Sequence, residues 1–221
     1  SHMNDDTIRS RLQHVYWMGG SPCAGKSTMA GLIAAAHGLT HYHIDQELRT
    51  RLPQPDAARQ PCLAYWLSST WDDLWMRPVD VLLDDVIRCY QEQFDMIIAD
   101  LLAMDAGAPI LVEGNSLLPD SLAPFLHDRR RALWVIPTEA FQRRIYPNRG
   151  EWVQYILSQC SDPDQALQNW MDRDVAFAAW IDRRVTDLGL VHFTVDGERT
   201  IEQNAQRVLE HFGLAGEQES R

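Results

Sequence analysis

Residues 14–28 read His14-Val15-Tyr16-Trp17-Met18-Gly19-Gly20-Ser21-Pro22-Cys23-Ala24-Gly25-Lys26-Ser27-Thr28, and the fold turns on this stretch. His14 to Met18 is a short apolar run of strand character that ends on two glycines. From Gly20 the spelling Gly-Ser-Pro-Cys-Ala-Gly-Lys-Ser meets G-x-x-x-x-G-K-[ST] at every fixed position. Glycines let the backbone wrap a phosphate with successive N–H groups pointing inward. A helix opening near Ser27 adds the positive end of its dipole. In such a loop the lysine, here Lys26, reaches the β- and γ-phosphates, and the hydroxyl of Ser27 ligates magnesium. Gly20, Ser21, Pro22, Cys23, Ala24, Gly25, Lys26, Ser27 and Thr28 are therefore the expected nucleotide-binding set, with ATP and Mg2+ as cofactors. Of the 20 basic residues 19 are arginine, and Lys26 is the single lysine. A chance match becomes improbable when one lysine has to fall in that one place.

Outward from the loop, strands alternate with helices. Ser27 to His37 reads as a helix closed by Gly38, and Thr40 to Ile44 as a second strand ending at Asp45. Leu52 to Pro61 holds three prolines and reads as a loop. From Val79 to Leu102 apolar residues recur at three- and four-residue steps, giving a long amphipathic helix. Pro109 to Val112 is a strand running into Glu113-Gly114, Ala132 to Ile136 another, Asp164 to Leu188 a helix, Val191 to Val195 a fifth strand and Ile201 to Phe212 a closing helix. This order predicts an α/β fold, a parallel sheet of five strands covered by helices on both faces.

Length and composition agree with one domain. The chain has 221 residues, 45% hydrophobic and 23% charged, with a formal net charge of −11. That charge argues against a general nucleic-acid or anionic-membrane binder, and no apolar run reaches the roughly 18 residues of a membrane span. Four cysteines without metal spacing read as free thiols in a reducing cytoplasm. Residues 1–3 read as a tag remnant, 4–215 as the domain and 216–221 as a tail.

Two other nucleotide-binding classes fit poorly. A GTPase needs an Asn-Lys-x-Asp motif, which a chain with one lysine, already placed in the loop, cannot supply. Motor ATPases carry an Asp or Asp-Glu after four apolar residues, where Ile110 to Gly114 reads Ile-Leu-Val-Glu-Gly.

With the phosphate loop, His43-Ile44-Asp45, Leu111-Val112-Glu113-Gly114 and Arg144-Ile145-Tyr146-Pro147-Asn148-Arg149 in this order, the chain resembles the adenylate-kinase-like branch of P-loop kinases, which includes nucleotide, shikimate, gluconate and chloramphenicol kinases. The resemblance implies strand order 2-3-1-4-5, a site at the carboxyl ends of the strands, an acceptor-binding region over about residues 46–78 and a helical lid over about 143–175. It also implies that Arg144 lies against the adenine, that Arg149 reaches the phosphates and that Arg173 forms the opposite side of the lid. The loop Val195-Asp196-Gly197-Glu198-Arg199-Thr200 would border the adenine, or be an ordinary strand-to-helix turn.

Phosphoryl transfer needs a group that orients the acceptor hydroxyl and takes its proton. Asp45 suits that role and would contact the substrate; the competing reading is a helix N-cap. Arg49 and Arg51 suit an acceptor bearing phosphate or carboxylate, or are solvated helix charges. Glu113 ends a buried strand, where a carboxylate calls for a cation or donors; it either joins Ser27 at the magnesium or bonds the helix start beyond Gly114. Arg149 and Arg173 are candidates to stabilise the transferring phosphoryl group, with Arg143 and Arg183 weaker ones. Arg129-Arg130-Arg131 reads as a solvated turn. Trp66, Trp71, Trp75 and Tyr65 either stack on a ring-bearing substrate or pack the core.

The Asp-Gly-Phe-Pro-Arg signature of adenylate kinases is replaced by Glu113-Gly114-Asn115-Ser116-Leu117. The expectation is thus an ATP-dependent kinase of a small hydroxylated metabolite or natural product, cytoplasmic, a monomer or homodimer. The alternatives are a nucleoside or nucleotide kinase, and a non-catalytic P-loop nucleotide-binding switch.

Overall fold

The computed structural model describes residues 3–105 and 107–216; Ser1 and His2 of the expected tag remnant and residues 217–221 of the expected tail lie outside. Asn4 caps the first helix, α1 (Asp5–Arg11), by accepting from the Thr7 N–H. The chain then enters β1 (Val15–Gly20), the phosphate loop and α2 (Lys26–His37). Gly38, at φ 64°, ends α2 in the left-handed conformation that glycine adopts at least cost. Next come β2 (Thr40–His43), α3 (Ile44–Thr50), α4 (Pro61–Ser68), α5 (Trp71–Trp75) and the long α6 (Val79–Ala103). After β3 (Ile110–Glu113) follow α7 (Pro119–Leu122), β4 (Ala132–Pro137), α8 (Glu139–Ile145), α9 (Glu151–Ser158), α10 (Pro163–Asp187), β5 (His192–Val195) and α11 (Ile201–Phe212).

All strand pairs are parallel and the sheet runs β2-β3-β1-β4-β5, the expected order. Several strand ends differ from the sequence expectation by one or two residues, and two of these bear on the site. The first strand runs on to Gly20, because both glycines pair beside Trp134 and Val135 of β4. The second stops at His43, and Ile44 already opens α3.

Side chains alternate across the sheet as strands require. Val15, Trp17, Ile110, Val112, Trp134 and Ile136 face α6 and α10; Tyr16, Met18, Leu111, Leu133 and Val135 face α2 and α11. Fully buried residues of this kind each contribute roughly 1.5–3 kcal/mol by leaving water, so the two faces fix strand register strongly. A third cluster lies off the sheet. It joins Leu74, Trp75 and Leu82 to Tyr146, Val153, Ile156, Leu157 and Trp170, so the segments expected to bind the acceptor and to form the lid share one apolar core.

The arginine run at 129–131 is a single 3-10 turn with structural uses, not simply a solvated one. Arg129 donates to the Leu188 and Gly189 carbonyls at the end of α10, Arg130 pairs with Asp128, and Arg131 lies over the Tyr16 ring at 4.3 Å. Among the described residues no helix is long and apolar enough to cross a membrane.

Candidate functional site

The carboxyl ends of β1, β2 and β3 meet at the phosphate loop, the edge where open α/β sheets bind ligands. The loop's shape depends on its backbone. Gly20 sits at φ 139° with the Val135 carbonyl directly against the place a Cβ would occupy, and Gly25 at φ 76°. Cys23, at φ 72°, is the one described non-glycine residue with positive φ; a conformation of this kind costs a side-chain-bearing residue of the order of 1–3 kcal/mol and collects at functional sites. Gly25 is the N-cap of α2, so the helix begins at Lys26 with its first amide groups turned to the loop.

Lys26 is buried, and its Nζ donates to the Ser21 carbonyl at 2.7 Å, spanning the loop. Burial pulls its pKa below the ordinary lysine value; Glu113, Asp45 and Cys23 oppose that shift and Arg149 adds to it. Five groups named from the sequence therefore act on one another around one ammonium. Ser27 and Thr28 stand exposed on the first turn of α2.

Asp45 is exposed in the first turn of α3. The N-cap reading fails: the N-cap is His43, whose side chain makes no capping bond. Arg49 is exposed, whereas Arg51 is tied to Glu47 at 2.7 Å and to Asp100, which also accepts from the Tyr42 hydroxyl at 2.6 Å. Arg51 thus braces α3 against α6 and is removed from the acceptor candidates.

Glu113 is only 4% exposed. It does not bond the chain beyond Gly114 as one reading expected. Its Oε2 has no hydrogen-bond partner and lies 3.6 Å from His43 Nε2 and 3.9 Å from His41 Nε2, and His41 Nε2 is equally unpartnered. A buried carboxylate with an open lone pair is expensive unless a cation or donor arrives. One carboxylate near a phosphate loop, with a hydroxyl at Ser27, is the donor set with which Mg2+ is held alongside substrate phosphates, so the residues present fit the ion.

Arg149 and Arg173, the arginines expected in a lid, converge on a residue the sequence reading did not single out. Asp174, about 1% exposed, accepts from Arg173 Nε and Nη2 at 3.1 and 2.8 Å, from the Tyr146 hydroxyl at 2.8 Å and from Arg149 Nη1 at 3.5 Å. Burial alone would lower the pKa of both arginines; Tyr146 and Asp174 outweigh it at Arg149, and Asp174 does so at Arg173. Arg173 also lies over the rings of Trp75 (4.7 Å) and Trp66 (6.0 Å). The half-buried Tyr90 of α6 feels Arg173, Asp45 and Asp174 together, its hydroxyl pKa raised chiefly by burial. The only sequence signal for Asp174 was its place in Met171-Asp172-Arg173-Asp174, where two flanking acids offered no choice. Here Asp172 faces Arg143 instead, at 3.0 Å.

Arg143 also pairs with Glu139 and is a surface link, and Arg183 is exposed on α10; neither joins the cluster. Arg144 approaches the β5–α11 loop, its Nη2 2.6 Å from where a Gly197 Cβ would sit, so that the loop of residues 195–200 and Arg144 meet. Within that loop Asp196 accepts from the Glu198 N–H, and Thr200 forms a capping box with Gln203. Of the aromatic group, Trp75 is core, stacked on Trp170 at 4.2 Å; Trp66 meets it edge-on, and Tyr65 is exposed.

No family model matches the chain, and no curated protein sequence does. Solved structures similar to it in fold include shikimate kinase from Aquifex aeolicus, 16% identical over 90% of this chain and 96% of that one, with a TM-score of 0.42. Another is shikimate kinase from Acinetobacter baumannii in complex with shikimate, 16% identical over 94% and 96%, with a TM-score of 0.43. Both are named as shikimate kinases; the functional reading rests on the site.

Proposed function

We propose that the chain is an ATP-dependent kinase that transfers the γ-phosphate to a hydroxyl of a small metabolite or natural product. The observation that carries this reading is the convergence of Asp45, Glu113 and Arg149 on the buried Lys26 at the mouth of the phosphate loop. Two carboxylates and an arginine act on this lysine electrostatically, which suits a site that takes up phosphate and metal.

In this reading the loop amides and Lys26 hold the β- and γ-phosphates, and Arg144 with the loop at residues 195–200 borders the adenine. Asp45, exposed to the acceptor side, orients the incoming hydroxyl and accepts its proton. Arg149 and Arg173 neutralise charge that spreads over the transferring group. Ser27 and Glu113 would hold Mg2+, which supplies charge neutralisation on the phosphates when bound. Arg49 is the remaining cation for an anionic substituent on the acceptor. The reading takes residues 4–215 as one domain, with the acceptor region at about 46–78 and the lid at about 143–175, acting in the cytoplasm as a monomer or homodimer.

The test is a screen of hydroxylated metabolites, nucleosides and antibiotics for acceptor-dependent ADP release with Mg-ATP. A hit lost in Asp45→Asn supports the reading. ATP binding with no turnover above background for any acceptor would favour a nucleotide-binding switch.

A further inference from the structure

Two helices on the acceptor side meet at a pair of thiols that the proposed chemistry does not use. Cys62, in the first turn of α4, and Cys89, on α6, have their sulfurs 2.7 Å apart. The start of α4 is pinned at the same spot: both Glu92 carboxylate oxygens accept, from the Cys62 and Leu63 N–H groups, at 2.9 Å each, and the Cys62 thiol donates to the Asp85 carbonyl at 3.4 Å. Cys62 is partly exposed and Cys89 is buried, so a reagent reaches one sulfur first and the other lies directly behind it.

We propose that Cys62 and Cys89 are an oxidative modification site, closing to a reversible disulfide by exchange with a low-molecular-weight disulfide. The Cys62 thiolate attacks one sulfur of R–S–S–R, forming a Cys62–S–S–R mixed disulfide and releasing one thiolate, which takes up a proton. Cys89 then loses its proton, attacks the Cys62 sulfur and expels the second thiolate. The protein gives up two electrons and two protons, and R–S–S–R becomes two R–SH. Closing the bridge brings the sulfurs from 2.7 Å to about 2.05 Å, the length of a disulfide.

Burial raises both thiol pKa values; at Cys62 Asp85 and Glu92 add to this, while the Cys89 contact and Arg88 oppose it. The thiolate is the attacking species, so exchange is slow near neutrality and accelerates only as the pH rises beyond the ordinary thiol value of about 8.5.

The consequence for activity rests on the kinase reading. Trp66 lies one turn along α4 from Cys62, edge-on to Trp75 and with the Arg173 guanidinium 6.0 Å from its ring. Bonding the start of α4 to α6 holds this helix in one position, which slows acceptor-dependent turnover and leaves nucleotide binding, on the far side of the loop, unchanged.

The full chain is incubated with glutathione disulfide over a pH series extending above the ordinary thiol pKa, where the raised thiols ionise, and mapped by peptide mass spectrometry. The expected product is a Cys62–Cys89 bridge that a dithiol reductant reverses; Cys89→Ser should stop at glutathione on Cys62, and Cys62→Ser should leave Cys89 unmodified. Persistence of both free thiols, or a lasting glutathione adduct on Cys62 of the unmutated chain, overturns the site whatever the enzyme does. Bridged protein should turn over several-fold more slowly at unchanged nucleotide affinity, with Cys62→Ser insensitive to the oxidant. A bridge with undiminished turnover overturns the effect on activity and keeps the site, while a chain without kinase activity still reports the bridge by mass.

Discussion

Replacing Asp174 with asparagine removes one negative charge and preserves shape, which isolates the electrostatic part of the lid. In the folded chain this carboxylate accepts two bonds from Arg173 and one each from Tyr146 and Arg149, and it is about 1% exposed. The 3.5 Å contact to Arg149 is long and is discounted. A hydrogen bond to a charged group contributes about 1.5–3 kcal/mol, and removing one partner of a buried pair costs about 3–5 kcal/mol because it strands the other charge. Asparagine still offers one acceptor oxygen, so the lower end applies: a loss of roughly 3 kcal/mol. For a domain of this size each kcal/mol moves the melting temperature by roughly 2–4 °C, so Asp174→Asn should melt roughly 6–12 °C lower.

The functional content lies in what nucleotide does to that loss. If Arg149 and Arg173 exist to meet the γ-phosphate, a non-hydrolysable ATP analogue with magnesium supplies the missing anion. The analogue should then raise the melting temperature of Asp174→Asn more than that of the unmutated chain, and Arg173→Met in the Asp174→Asn background should abolish the difference, as coupled neighbours do in a double-mutant cycle. Thermal shift with and without the analogue, on the four proteins, is the assay. Equal nucleotide-induced shifts in Asp174→Asn and the unmutated chain would refute a phosphate-facing role and leave Asp174 as a structural clasp.

Three further outcomes follow from the same geometry. Because burial depresses the Lys26 pKa, the unfolded chain holds that proton at pH values where the folded one has lost it. The lysine's contribution to stability therefore rises with pH between its depressed value and about 10.4, while ATP affinity falls over the same window as the ammonium is lost; Lys26→Arg should show no such fall, and a pH-independent ATP affinity in the unmutated chain would contradict the assignment. Glu113→Gln should reduce kcat strongly with a smaller effect on nucleotide affinity, as groups needed mainly in the transition state do; near-normal turnover at limiting magnesium excludes Glu113 from the metal site. Asp45→Asn should keep ATP binding and melting temperature, since His43 and not Asp45 is the N-cap, and lose on the order of 10²–10⁴ in acceptor-dependent rate; intact transfer takes Asp45 out of the chemistry.

The sheet, and the loop proposed to hold phosphate, were legible because they are local. The phosphate cradle is nine contiguous residues whose function comes from backbone direction and glycine, both of which leave a mark on the spelling. The α6 and α10 periodicities fixed two 25-residue helices to within a residue or two, since burial against a flat sheet selects an apolar stripe. Where the reading slipped, the local signal was balanced. The run Thr40 to Ile44 has strand character throughout, and only tertiary packing of Ile44, fully buried beneath Gly114, turns it into the first residue of a helix. Gly19 and Gly20 looked like the end of a strand but stay in the ladder, since the indole of Trp134 and the carbonyl of Val135 fill the space their side chains would need.

The acceptor half was hard to read because its parts have no sequence proximity. Asp45, Tyr90 and the Arg173–Asp174 pair come from three helices and meet only when α6 and α10 pack against one another. Periodicity places Arg173 and Asp174 on α10 but cannot say which neighbouring acid turns inward. In the fold it is Asp174 that turns inward, accepting from the buried Tyr146 hydroxyl and from Arg173, whose guanidinium lies over Trp75 in its stack on Trp170. The same stack explains why the tryptophans read ambiguously: they pack a core, and the core they pack is the one that seats Arg173. Packing and substrate contact are then not alternatives at Trp66, for a ring that helps hold Arg173 in place would shape the proposed acceptor site without touching the acceptor. A Trp66→Leu change, which keeps an apolar side chain and loses the ring face under the guanidinium, separates the two roles: a kcat loss at constant acceptor KM marks positioning through Arg173, and a KM rise at constant kcat marks direct contact with the acceptor.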